Sequence, residues 1–249
     1  MATLIHLTKH FNNLNAILQS AERQRQFIEN FARDNQLLAE FYANAIRPEL
    51  AQRGWFIAGS LYPHQYQTLE LALKKKAEDQ VEEFLKIHIR GQISDVRKHA
   101  MNRWKKRAEI LADAFDAHIA AKYTLSVPVL LAQADGISYD IFGANLFTNY
   151  NGPIDKAIGK SIEKSNLHKR PLAKSFLDLL LEALETSGLR RPTNKRNEME
   201  TSSRIYYPLN RHGVLHGLDC DYAIEGNSLR GIALISFLEW VAQVIPMKE

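Results

Sequence analysis

The segment Asn210-Arg211-His212-Gly213-Val214-Leu215-His216-Gly217 joins a permanent cation to groups that titrate near neutrality. Arg211 and His216 have the spacing R-x4-H. On a regular helix that separation is about 7.5 Å of rise and roughly 140° of rotation. Two long side chains can converge on one phosphate from there. Backbone N–H groups at a helix N-terminus attract the same anion. Metal-free RNA cleavage needs this chemistry. The 2′-hydroxyl attacks the neighbouring phosphate, so a proton must move and charge on the phosphoryl oxygens must be stabilised. Imidazole does the first, and a guanidinium fork does the second.

Other chemistries compete for these residues. His212 and His216 are four apart on one helix face, which suits zinc when further ligands arrive. Asp219, Cys220 and Asp221 follow closely, but the H-E-x-x-H pattern is absent because position 213 is Gly. We therefore expect no metal and no cofactor. Cys220, the single cysteine, reads as a small hydrophobe before it reads as a nucleophile. Tyr206 and Tyr207 can stack on bases or pack in the core. Glu225 or Asn227 can orient Arg211.

The elements that must position these groups read as helices. The chain has 12 Gly and 8 Pro in 249 residues, too few turn formers for an all-β fold. Only five of them precede residue 121, which predicts long helices in the first half. Apolar residues at helical spacing predict helices over 65–91, 94–121, 125–142 and 172–186. A polar helix is expected over 154–164, with a loop over 145–153. A last helix over 227–245 would be capped by Asn227 or Ser228. Pro128 should sit in the first turn of its helix. Residues 111–142 read as an antiparallel helical hairpin, with Asp135 on its second arm. A boundary at 98/99 divides an N-terminal helical region, 1–98, from the rest.

Charge adds a partner class. The net charge is +4, unevenly spread. Residues 90–107 hold seven Lys/Arg, including Lys105 and Lys106, against one acid, Asp95. The polar stretch 190–204 adds Arg190, Arg191, Lys195 and Arg196. Such stretches can steer RNA by neutralising phosphates, or can be solvated helix faces. One Cys, no basic-then-apolar leader and no long uncharged apolar run predict a cytoplasmic chain without a membrane span.

Arg211-His212-Gly213-Val214-Leu215-His216 resembles the R-x4–6-H signature of the HEPN superfamily, in which the residue after Arg is commonly polar. The plan of a hairpin near 104–142, a third helix, a motif helix and a closing helix is similar too. So is the segment from Tyr123 to Gly136. The resemblance covers about residues 100–249 and leaves 1–99 unexplained. It implies an all-α helical bundle at 99–249, usually a homodimer with a shared cleft. It also implies metal-independent endoribonuclease activity, often in toxin–antitoxin or anti-phage systems with an antitoxin or regulatory protein as partner. Carried over by position, Arg211 and His216 are catalytic; His212, Asn210 and Asp135 support them. Inactive members exist, so the alternative is a silent helical module that binds protein or nucleic acid. One subfamily has R-x4-H-x-Y, but position 218 here is Leu, so control by nucleotide transfer to that Tyr is not expected.

Overall fold

The computed structural model describes residues 49–57, 61–148, 151–164, 189 and 209–244. Among them every regular element is a helix. Residues 49–52 are helical. Then follow α1 (Pro63–Lys74), α2 (Glu78–Arg90), α3 (Ile93–Arg103), a 3-10 turn (Lys105–Arg107), α4 (Ala108–Ile119) and α5 (Tyr123–Phe142). After them come α6 (Ile154–Lys164), α7 (Arg211–Leu215) and α8 (Glu225–Val244). The helix expected over 172–186 and the stretch 190–204 lie outside the described residues. So do Tyr206 and Tyr207.

Two mostly apolar helices form the centre: α8, buried nearly all round, and α5, which keeps one exposed face through Leu125, Ala132, Tyr139 and Asp140. In α8, residues Asn227 through Ile235 are all buried. In α5, Val127, Leu130, Leu131, Ala134, Ile137 and Ile141 are buried. The two run parallel: Ser126 meets Ser228 near their starts. One turn on, α8 passes so close to α5 that a Cβ on Gly231 would lie 3.0 Å from the Leu130 Cβ. Around this pair α2 runs antiparallel to α8, with Arg90 on Glu225 and Glu82 on Arg230. The hairpin of α4 and α5 forms as expected, with Arg107 on Asp140 near its open end and His118 on Ser228 at the other.

Three helices stop in the same way. After α1, α4 and α7 the chain takes a left-handed residue, and two backbone bonds close the turn. At α1 the residue is Lys76 (φ 55°), with Lys76 N–H donating to Leu73 and Ala77 N–H to Ala72. At α4 it is Ala121 (φ 54°), with bonds to His118 and from Lys122 to Ala117. At α7 it is Gly217 (φ 67°), with bonds to Val214 and from Leu218 to Gly213. These bonds satisfy carbonyls that the helix end would orphan. Only glycine takes that conformation without steric cost.

Several expectations change. The helix over 65–91 is two helices, broken at Lys75–Ala77. That over 94–121 breaks at Trp104, which is buried, and resumes after the 3-10 turn. The boundary at 98/99 falls inside α3, and residues on both sides share one core. Trp55 and Phe56, for example, pack on Arg230 and Phe237 of α8. Pro128 is the sixth residue of α5, not a first-turn residue. Its missing N–H leaves the Thr124 carbonyl unpaired within the helix. The Tyr222 hydroxyl donates to that carbonyl at 3.2 Å. The last helix begins at Glu225, so Asn227 and Ser228 lie in its first turn rather than capping it. Asn227 instead donates to the Tyr222 carbonyl and accepts from Arg230.

The basic stretch 90–107 divides by residue type. Its four arginines bind acids on other elements: Arg90 to Glu225 at 2.7 Å, Arg97 to Asp116 at 2.9 Å, Arg103 to Glu239 at 2.6 Å and Arg107 to Asp140 at 2.9 Å. Lys105 and Lys106 stay exposed. The guanidinium forks therefore stitch helices together, and the ammonium groups face water.

Candidate functional site

Asn210 sets the geometry of the motif. It is fully buried, and its Oδ1 accepts the Gly213 N–H at 2.6 Å. This is a side-chain N-cap, which satisfies one orphan donor of α7. The expected motif helix is therefore real but only five residues long. Gly217 ends it. A Cβ at Gly217 would meet nothing within 4 Å. Its left-handed backbone (φ 67°) is the conformation that favours glycine there.

The short helix separates the two motif side chains. Arg211 leans toward α5, half-buried, and His216 is exposed as the C-cap. Arg211 Nη2 lies 3.9 Å from Asp135 Oδ2. That is an ion pair without a hydrogen bond. The guanidinium carbon sits 5.9 Å from the centroid of the buried Phe147 ring. Arg211 Nε is buried and has no hydrogen-bond partner. A buried donor left unpaired costs about 1–3 kcal/mol.

Asp135 is held by the loop after α5. Its Oδ1 accepts the Phe147 backbone N–H at 3.0 Å, and its Oδ2 accepts Asn145 Nδ2 at 3.2 Å. Asn145 Oδ1 in turn accepts Asn151 Nδ2 at 2.7 Å. These bonds fold the loop onto α5 and set the Phe147 ring beside Arg211. Sequence reasoning found Asp135 but missed Asn145 and Phe147. Neither stands out within a loop, and their role follows only from the bonds to Asp135.

His212 and His216 do lie together, with ring centroids 4.6 Å apart and planes at 49°. Partial burial holds the His212 ring below the ordinary histidine range, and the charges of His216 and Arg211 push the same way. Cys220 is exposed, so it is not the buried hydrophobe expected. Among the described residues, no group of three or more His, Cys, Asp and Glu is placed to hold a metal ion. Glu225 pairs with Arg90, and Asn227 with Arg230. Arg190, Arg191, Lys195 and Arg196 lie outside the described residues.

No protein-family model, curated protein or solved structure matches the chain. Among the described residues, no helix is long and apolar enough to cross a membrane.

Proposed function

We propose that this chain is a metal-independent RNA endonuclease of the HEPN type, acting through Arg211, His212 and His216. The observation that carries the reading is the arrangement at α7. A half-buried guanidinium with an unpartnered Nε stands on the same short helix as two imidazoles in ring contact. Arg211 would hold the phosphodiester and stabilise charge on its oxygens as the 2′-hydroxyl attacks. His212, held toward its neutral form, fits the base that takes the 2′-hydroxyl proton. His216, at the exposed end, would give a proton to the departing 5′-oxygen. The products are a 2′,3′-cyclic phosphate and a 5′-hydroxyl.

The test is incubation of the purified full chain with total RNA in EDTA, beside Arg211→Ala and His216→Ala. Cleavage to cyclic-phosphate ends is expected, with a loss of roughly a hundredfold or more in the Arg211 variant. Intact folding with no cleavage by any form would overturn the reading. It would leave the motif as a structural device of a silent binding module, since Asn210 also caps α7 and Arg211 pairs with Asp135 on α5.

A further inference from the structure

We infer that Arg211 binds phosphate against a competitor built into the fold, the Asp135 carboxylate. The inference deepens the proposed function and rests on it for the substrate class, a phosphodiester or a free phosphate anion.

The geometry of the pair is the first ground. Arginines joining other elements approach their carboxylates to 2.6–2.9 Å at Arg90, Arg97, Arg103, Arg107 and Arg230. Arg211 and Asp135 stay at 3.9 Å, although both side chains are less than a fifth exposed. A charged pair this far from water gains most by closing to a direct hydrogen bond.

The second ground is how Asp135 is held and oriented. Both Asp135 oxygens are engaged from the loop, one by the Phe147 N–H and one by the Asn145 amide. The carboxylate is thus held by neutral donors beside the guanidinium. Phe147 lies against Arg211 from another side. The buried Nε of Arg211 is left without an acceptor. A phosphate oxygen would supply that acceptor once a local opening at the partly exposed Arg211 side chain admits it, since Nε is closed to solvent. Asp135 remains close enough to repel that phosphate and to lower its affinity.

The competitor makes predictions of opposite sign. Asp135→Asn keeps an acceptor for the Phe147 N–H and removes the charge. Asn145→Leu removes the amide that occupies Oδ2 and lets the carboxylate close on Arg211. We would titrate inorganic phosphate into each full-length form by calorimetry, at pH 7.5 and constant ionic strength. Asp135→Asn should bind about five- to tenfold tighter than the parent. Asn145→Leu should bind several-fold weaker, and Arg211→Gln should lose binding.

Equal or weaker binding by folded Asp135→Asn overturns the inference, because the carboxylate would then be aiding Arg211. So does undiminished binding by Arg211→Gln, or no binding by the parent and every variant. If Asp135→Asn does not fold, Asn145→Leu decides: unchanged or tighter binding overturns the proposal. A parallel arm with a single-stranded oligoribonucleotide separates this inference from the nuclease reading. Tighter phosphate binding by Asp135→Asn without RNA cleavage by any form keeps the competitor and removes the nuclease. Cleavage without that gain does the reverse.

Discussion

Arg230 and Arg211 are both largely withdrawn from water, and their surroundings treat them in opposite ways. Arg230 is 4% exposed, and each of its nitrogens has a partner. Nε donates to the Arg53 carbonyl, Nη1 to Asn227 and Nη2 to Glu82, with the Trp55 ring 4.6 Å from the guanidinium carbon. Arg211 has an aromatic neighbour and a carboxylate as well, but its pair is longer and one buried nitrogen is empty. Complete satisfaction makes a guanidinium a structural fastener. Incomplete satisfaction leaves it able to gain from a ligand. The contrast is not absolute at the clamps: Arg97 Nε and Glu239 Oε2 are also buried and unpaired. Each nonetheless keeps a short ion pair through its other atoms.

The largest test of this contrast is Arg230→Met. It strands Glu82 beside Trp55 and should cost about 3–5 kcal/mol in urea unfolding, as breaking a buried ion pair does. Arg211→Met should cost much less stability, while abolishing phosphate binding. Equal losses from the two would erase the distinction between fastener and site. Next is Gly231→Val in the central α5–α8 contact. A branched side chain at 3.0 Å from Leu130 should destabilise by about 1–3 kcal/mol through overpacking. Calorimetric melting would measure it.

The left-handed helix stops at Lys76, Ala121 and Gly217 give a smaller and two-signed test. Lys76→Gly and Ala121→Gly should each stabilise by up to about 1 kcal/mol, and Gly217→Ala should destabilise by a similar amount. Denaturant midpoints would show it. If Gly217→Ala also weakened phosphate binding, the end of α7 would belong to the site and not only to the fold.

The smallest expected effect is a pH dependence of melting. Burial lowers the proton affinity of His88 and His118, and chiefly burial lowers that of His212. Each ring therefore binds a proton less readily folded than unfolded. Their contribution to stability is complete above the unfolded value near 6.5 and is lost as pH falls through the lower folded values. His118→Gln should flatten the decline, since His118 sits in the buried bond to Ser228 with Glu225 and Arg90 nearby. A parent melting temperature that rises on acidification from pH 7 to 5 would contradict this.

Much of the fold was legible because apolar spacing announces helices, and Pro and Gly announce many of their ends. The hairpin and the apolar closing helix followed from that. What was not legible depends on distant partners. Lys76 and Ala121 end helices in a conformation that their side chains resist, so nothing local signals the stop. Lys105, Lys106 and Arg107 are good helix formers, yet the chain breaks there. Trp104 is buried, and Arg107 reaches Asp140 on α5. At the site, the residue types Arg, His and Asp were visible as chemistry. Their pairing was not. The R-x4-H spacing assumed a continuous helix, whereas Gly217 and the buried Asn210 confine α7 to little more than one turn. That confinement turns Arg211 inward and leaves His216 outside.

The parallel packing of α5 and α8 has a kinetic consequence. Neighbours that run parallel cannot be joined by a tight turn, and some 80 residues separate the end of α5 from the start of α8. The α4–α5 hairpin closes over a few residues, so loop-closure entropy favours it first and α8 last. Asp135 is then in place early, on α5, while Arg211 arrives only with the segment that leads into α8. During synthesis the acid is made before the base it faces. A chain that ends before Arg211 carries the Asp135 half of the pair without its cation. Stopped-flow refolding followed by phosphate binding should show that binding appears with the slowest phase.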